Sequence, residues 1–342
     1  MTDAILEVVG LTRRFGTVVA NDDVTLRVRP GDVVGLLGHN GAGKTTLVNQ
    51  LVGLLRPDAG TIRVGDADAV EDPAAARRHV ALQPQAQAPI DGLTPRRAIE
   101  LSGRIRGLSA RDARAAATAL AEEFDLGPWL DRRALPEGGV LSGGIRRLTS
   151  FAMAVAAPMP LLVLDEPTND IDASRRRLLW DAVRRRGDEG SGVLVVTHNV
   201  AEAERVVDDL VVLHHGRVVA SGSPARLRGT QDSDLRLDLQ LQPDGQDPST
   251  AANPTGPGTS PSVTIRRQVR AGRRVLLTVP AEEAAAAVTW ATSLRDEERI
   301  DGFSLGPVTL EDTYLALTAD PKPRPDAIER EPETSEEEPA HA

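Results

Sequence analysis

The sequence predicts an α/β fold with a helical insertion and a small α+β domain behind it. Short aliphatic runs between Ala4 and Gly222, among them Val33 to Leu37, Leu161 to Leu164 and Val193 to Thr197, alternate with amphipathic stretches. Strands covered by helices on both faces read as unbroken aliphatic runs, so this pattern marks an α/β sheet. Between Leu93 and Leu141 those runs vanish, and alanine-rich segments such as Arg111 to Phe124 take their place. Past residue 233, Leu235 to Leu241 and Val263 to Val279 regain strand character, and a helical pattern follows.

At 342 residues the chain can hold one large domain and a smaller one. The expected division is 1–232, with a helical subdomain at about 91–145, and then 233–318. A hairpin signal near the end of the first domain runs through Leu210 to Leu213, His214-His215-Gly216 and Arg217 to Ala220. In the second domain a strand pair turns at Ala271-Gly272. Pro280 is expected to open a helix with Ala284, Val288, Ala291 and Leu294 along one side. Residues 242–261, rich in Pro, Gly, Ser and Thr, read as a flexible loop, and the acidic, proline-rich segment 319–342 as a disordered tail.

Composition narrows the function classes. The net charge is -10, and half of it lies in the tail, where residues 319–342 hold eight Asp or Glu against three Lys or Arg. The remainder is nearly balanced and offers no extended basic surface for nucleic acid. The absence of cysteine excludes a disulfide framework and thiolate metal sites. The N-terminus MTDAILEVV lacks a basic-then-apolar leader, so the chain is expected to stay in the cytoplasm. Its longest apolar stretch, Phe151 to Leu164, contains two prolines and falls short of the ~20 residues that cross a bilayer. Any membrane role must go through a partner.

Only two lysines occur, Lys44 and Lys322, in a chain that otherwise writes its basic residues as Arg. Lys44 closes Gly38-His39-Asn40-Gly41-Ala42-Gly43-Lys44-Thr45, which satisfies G-x-x-x-x-G-K-[ST] after an aliphatic run and before a helical pattern, with Leu47, Leu51, Leu54 and Leu55 at helical spacing. Glycines there let the backbone curl so that its N–H groups and the helix N-terminus face phosphates. Lys44 then reaches the β and γ oxygens as a compact charge, Thr45 ligates Mg²⁺, and Thr46 supports the α and β phosphates. The strand Leu161 to Leu164 ends in Asp165-Glu166. Asp165 at the strand tip is placed to hold the Mg²⁺ shell, and Glu166 to polarise an attacking water.

In this order the segments resemble a P-loop NTPase of the ABC type. Leu141-Ser142-Gly143-Gly144-Ile145 resembles that family's LSGGQ signature, just ahead of the acidic strand. In the family the signature opens a helix and offers its Ser and glycine amides to the γ-phosphate of ATP held by the opposite subunit. The resemblance implies further roles. Phe15 matches the aromatic that stacks on adenine, although a core Phe would read the same way. Gln85, in Gln83-Pro84-Gln85, matches the glutamine that senses Mg²⁺ and water. Asp172 matches the loop that crosses the dimer interface, and His198 the switch histidine at the γ-phosphate. Ile145 stands where Gln is common. Ile145-Arg146-Arg147-Leu148 and the segment Leu310 to Thr318 resemble exporters of the daunorubicin-resistance type.

The resemblance implies ATP and Mg²⁺ bound between two copies of the chain. It also implies an integral-membrane permease as partner, a place on the cytoplasmic face of the membrane, and export of a drug or lipid-like substrate. Rival readings are an importer ATPase and a soluble ATPase acting on ribosomes or DNA. The latter generally carries two cassettes or a long coiled coil, and neither pattern occurs here. A module that holds ATP without hydrolysing it would not need both Glu166 and His198. His39, His79, His214 and His215 show no ligand spacing beyond one adjacent pair and read as surface or packing residues. Arg184 to Arg186 reads as a solvated helix end.

Overall fold

The computed structural model describes residues 3–135, 140–228, 234–243 and 263–318. The acidic tail and nearly all of the loop at 242–261 lie outside the described residues. In chain order the first half comprises β1 (Leu6–Phe15), β2 (Val18–Val28), β3 (Val33–Leu37), α1 (Lys44–Leu51), β4 (Ala59–Val64), β5 (Ala67–Asp68), α2 (Pro73–Arg78) and β6 (Val80–Gln83). Helices α3 (Pro95–Ile105), α4 (Ala110–Glu123) and α5 (Gly143–Ala154) follow. The core then closes with β7 (Leu161–Asp165), α6 (Ala173–Asp188), β8 (Gly192–Thr197), α7 (Val200–Ala203), β9 (Asp209–His214), β10 (Arg217–Gly222) and α8 (Pro224–Arg228).

Two sheets face each other. The first is antiparallel, in the order β2-β1-β4-β5, and the second runs β10-β9-β3-β8-β7-β6. In the second, β9, β3, β8, β7 and β6 are parallel neighbours, while β10 joins the edge antiparallel through the hairpin read from sequence. Alternate residues of one strand enter opposite cores. Val34, Leu36, Leu194 and Val196 pack with Leu6, Val8 and Ile62 between the sheets. Val33, Leu37, Val193 and Val195 pack with Ile99, Phe124, Phe151 and Leu179 on the helical side. That two-sided burial is why β3 and β8 are aliphatic without interruption.

The helices begin where local chemistry says they should. Thr94, Ser109, Ser142 and Asp172 cap α3, α4, α5 and α6, each side chain accepting from the N–H three residues on. Among the described residues between β6 and β7 there is no strand.

The C-terminal part comprises β11 (Asp234–Leu241), β12 (Arg267–Ala271), β13 (Arg274–Pro280), α9 (Ala284–Asp296), β14 (Ile300–Pro307) and α10 (Leu310–Thr318). Its antiparallel sheet has the order β12-β13-β11-β14, with α9 over one face. Two expectations need correction. Pro280 ends β13 and a short 3-10 turn, Ala281–Glu283, precedes α9. The buried stripe of α9 runs through Ala287, Ala291 and Leu294, which leaves Val288 39% exposed on the other side. Strand β14 has no clear strand signal in the sequence: its two glycines and polar positions depress strand propensity, and pairing with β11 along its length supplies what propensity lacks. Helix α10 returns to the first domain. Leu310 is buried in that domain's helical core, Tyr314 packs beside it, and Asp312 pairs with Arg236 of β11.

Candidate nucleotide site

Five parallel strands end on the same edge, and each is followed by a residue or loop singled out above. The glycine loop follows β3, Gln85 follows β6, Asp165 ends β7 with Glu166 after it, His198 follows β8, and His214 ends β9. Ligands of open α/β sheets bind outside such carboxyl ends. A cleft of about 430 Å³ opens there, lined among others by Asn40, Gly41, Gly43, Lys44, Thr45, Thr46, Gln85, Asp165 and Glu166. Its size falls within the ~300–1,000 Å³ of small-molecule sites.

The loop that forms one wall is held in shape from behind. A Cβ at Gly43 (φ 102°) would stand 2.1 Å from the Ala20 carbonyl oxygen, and one at Gly38 would stand 2.6 Å from that of Leu213. No other residue type fits either place. Asn21 Nδ2 donates to the Gly43 carbonyl at 3.2 Å, and Gln50 Nε2 donates to Asn21 Oδ1 at 2.7 Å, both side chains being buried. Neither brace carries a motif. The Lys44 ammonium donates to the carbonyls of Gly38 at 2.6 Å and His39 at 3.1 Å. Burial lowers its pKa, against the pull of Glu166 and Asp165.

The acidic wall is more strained. Glu166 has a left-handed backbone (φ 50°), a conformation that costs a non-glycine residue energy and recurs at functional sites. Its N–H donates to the Val196 carbonyl at 2.8 Å. Its Oε2 accepts from the Thr197 hydroxyl at 3.1 Å and its Oε1 lies 2.8 Å from His198 Nδ1. A carboxylate only accepts, so that contact puts a proton on Nδ1. Asp165 is buried, and its carboxyl is pushed up to about 6, first by burial and then by Glu166, with Lys44 and Arg147 opposing. Its Oδ1 is buried with no hydrogen-bond partner among the described residues. An orphaned carboxylate oxygen in a cleft that Thr45 also lines suits a hard cation of the Mg²⁺ kind, which takes oxygen ligands.

Not every singled-out residue reaches the cleft. Phe15 is 46% exposed at the end of β1, with Arg13 stacked 4.9 Å from its ring centroid, so it is not a core residue. Ser142, Gly143, Gly144 and Asp172 are not among the residues that line the cleft of their own chain, and the two glycines pack against Asp170. A Cβ at Gly144 would meet the Asp170 carbonyl oxygen at 2.5 Å. Asp172 accepts from the Ser174 hydroxyl at 2.5 Å, the Arg175 N–H at 3.0 Å and the Arg175 guanidinium at 2.8 Å, which hold its carboxyl well below the usual range. Ala42 and Gly38 shape the loop from inside.

Sequence reasoning missed two buried arginines. Arg147 donates to the carbonyls of Pro84 at 2.9 Å and Gln85 at 2.6 Å, and its own carbonyl accepts from buried Gln83 at 3.2 Å. Arg146 pairs with Asp91 at 2.8 Å. Arg184 to Arg186 lie in the last turns of α6 with their side chains partly exposed, where Arg184 bonds Asp208, Asp188 and the Gly31 carbonyl, Arg185 pairs with Glu123 and Arg186 with Glu189.

The profile of the ABC transporter family matches residues 21–169. The daunorubicin resistance ATP-binding protein DrrA3 of Streptomyces coeruleorubidus is 37% identical over 322 residues, covering 94% of this chain and 98% of the relative. The chain belongs to the ABC transporter ATP-binding proteins. It is an ABC ATPase, similar also to the daunorubicin/doxorubicin resistance protein DrrA of Streptomyces peucetius (34% identity, 92% of this chain and 93% of the relative). The Nod factor export ATP-binding protein I of Paraburkholderia xenovorans is 31% identical, covering 93% of this chain and 98% of its own length. Among solved structures, an ATP-binding subunit of an ABC transporter superposes with a TM-score of 0.61 at 30% identity, over 66% of this chain and 92% of that one. A nucleotide-free ABC cassette gives 0.55 at 25% identity, over 64% and 91%. No helix of this ABC ATPase is long and apolar enough to cross a membrane among the described residues.

Proposed function

We propose that this ABC ATPase drives export of a drug or lipid-like substrate through a separate integral-membrane permease, to which it binds on the cytoplasmic face. The observation that carries the catalytic reading is the edge where Lys44, Gln85, Asp165 and Glu166 share one cleft and His198 is bonded to Glu166. Export is supported by similarity to the DrrA and Nod factor proteins over nearly the whole chain, including the α+β part that follows the ATPase core.

In this reading the loop amides from Asn40 to Gly43 bind the phosphates, and Lys44 leaves the Gly38 and His39 carbonyls for the β and γ oxygens. Phe15 offers its exposed face to adenine. Thr45, Asp165 and Gln85 hold Mg²⁺, which would supply charge neutralisation at the phosphate oxygens. Glu166 orients a water against the γ-phosphorus and receives its proton as the bond to the bridging oxygen breaks, leaving ADP and phosphate. His198, fixed by Glu166, offers its other ring nitrogen to the γ-phosphate.

Ser142, Gly143, Gly144 and Asp172 are not among the residues lining their own chain's cleft, which supports a homodimer in which each copy completes the other's site. A helix N-terminus capped by Ser142 is a suitable anion partner. The test is transport. Inverted membrane vesicles carrying this chain and its permease subunit should accumulate daunorubicin when given ATP, and vesicles with Lys44→Ala should not. Equal accumulation in both would refute ATP-driven export by this chain.

A further inference from the structure

Three histidines far apart in sequence meet at the rim of the cleft. His39 belongs to the phosphate loop, while His214 ends β9 and His215 lies in the turn between β9 and β10. One ring nitrogen of each lies within 4.8 Å of the other two. The ring centroids are 5.1 Å (His39–His214), 5.4 Å (His39–His215) and 4.2 Å (His214–His215) apart.

Backbone contacts fix this meeting. The Gly216 N–H donates to the Ala42 carbonyl at 3.1 Å, and the Asp22 N–H to the Gly216 carbonyl at 2.8 Å, so the turn is bonded to the phosphate loop and to β2. His215 (φ 45°) and Gly216 (φ 77°) both have positive φ, as a tight two-residue hairpin requires. The His214 end of β9 lies against the start of the loop because Gly38 has no side chain to keep them apart.

One ring is already set for coordination. His39 Nδ1 lies 2.6 Å from the Asn40 carbonyl, which can only accept, so Nδ1 carries the proton and Nε2 of the neutral ring presents its lone pair. That Nε2 is buried and makes no hydrogen bond among the described residues. A backbone carbonyl fixing one ring nitrogen so that the other faces a metal is the usual arrangement for ligating histidine.

We propose that His39, His214 and His215 form a site for a divalent transition-metal ion, with zinc the best fit. Three imidazole nitrogens without carboxylate favour Zn²⁺ and its neighbours over Mg²⁺ or Ca²⁺, which seek oxygen. At Zn–N distances near ~2.0–2.1 Å the ligating atoms stand about 3.4 Å apart, so rotation of exposed His215 and a small shift of the others closes the site. Three protein nitrogens leave a fourth position for water or another ligand. His39 and His215 also line the cleft, so the ion would sit at its edge.

The test is a calorimetric titration of the untagged, metal-stripped full chain with Zn²⁺, without nucleotide or Mg²⁺. One ion should bind per chain with micromolar or tighter affinity. His215→Asn keeps the positive φ within reach, because Asn tolerates that region. This variant and His39→Asn should each weaken binding by at least the ~10–100-fold that loss of an outer-shell partner costs a metal site. Binding that is absent, or equally tight in both variants, overturns the proposal. Should either variant melt early, Co²⁺ added to the unmodified chain decides. Intense visible absorption of a tetrahedral nitrogen-ligated ion is expected, and the pale spectrum of hydrated Co²⁺ would overturn the site.

Discussion

The Arg147 guanidinium donates to the backbone carbonyl of Gln85 at 2.6 Å, joining helix α5 behind the signature to the loop that carries the cleft glutamine. The same side chain holds the Pro84 carbonyl, and the Arg147 carbonyl holds Gln83. Movement of α5 must therefore carry Gln85 with it. Arg147→Met leaves two partly buried carbonyls without a donor, at a cost of about 2–3 kcal/mol, since hydrogen bonds to charged groups lie at the upper end of the range. A lower melting temperature and a reduced kcat are expected. Arg147→Lys restores charge but not the fork that spans two carbonyls, so it should recover only part of either. An unchanged kcat in Arg147→Met would show that Gln85 is positioned without this contact.

Asp165 makes the site pH-sensitive in two opposed ways. Its folded-state pKa of about 6 lies above the ordinary ~3.9 of an Asp. Between those values the folded chain holds a proton that the unfolded chain has released. The contribution to stability is therefore present below the lower value and lost as pH rises through about 6. Denaturant midpoints of the nucleotide-free protein on either side of that pH should show the fall, and Asp165→Asn should flatten it. A cation needs the carboxylate, so Mg²⁺-supported ATP binding should weaken as pH drops below the same value.

Gly144 and Gly143 should answer differently to alanine. In an open helix such a change would stabilise by roughly 0.5–1 kcal/mol. At Gly144 the new Cβ meets a backbone oxygen at 2.5 Å, and overpacking of that kind costs about 1–3 kcal/mol. At Gly143 it meets the Asp170 carboxylate at 3.3 Å, which can swing aside. Thermal melts should rank Gly144→Ala well below Gly143→Ala, and equal melting would mean that the close approach at Asp170 relaxes freely.

Glu202 gathers the segments behind Glu166 and His198. Its Oε1 accepts from Arg176 at 2.5 Å and Asn199 at 2.9 Å, and its Oε2 from the Thr168 hydroxyl at 2.8 Å and the Trp180 indole at 3.3 Å. Glu202→Gln removes the charge and turns an amide N–H₂ toward donors. Loss of charge-assisted bonds of this kind costs about 1.5–3 kcal/mol. Steady-state kinetics should show kcat falling while KM for ATP stays near its original value, because Glu202 touches the positioning segments and not the phosphate loop.

What could be read from sequence follows from how local each signal is. The glycine loop is one contiguous stretch, and Asp165-Glu166 directly continues an aliphatic strand, so both were legible with their neighbours in a single cleft. The α/β class was legible because two-sided burial of β3 and β8 writes itself as unbroken aliphatic runs. The bond from Arg147 to Gln85 spans 62 positions and that from Gln50 to Asn21 spans 29, with no residue type peculiar to either end. The three histidines met through a turn bonded to the loop, which no spacing announces. Strand β14 was hidden by its glycines, and Val288 was misplaced because a small residue, Ala287, takes the buried position beside it.

In the proposed reaction Glu166 prepares the water that cleaves ATP. Phosphate release by purified Glu166→Gln can be measured beside the unsubstituted chain at saturating Mg²⁺ and ATP. Glu166 is the base, and positioned acid–base groups contribute ~10²–10⁴-fold. Turnover lowered by at least about a hundredfold with ATP affinity retained is expected, and hydrolysis at the original rate would mean that Glu166 is not that base.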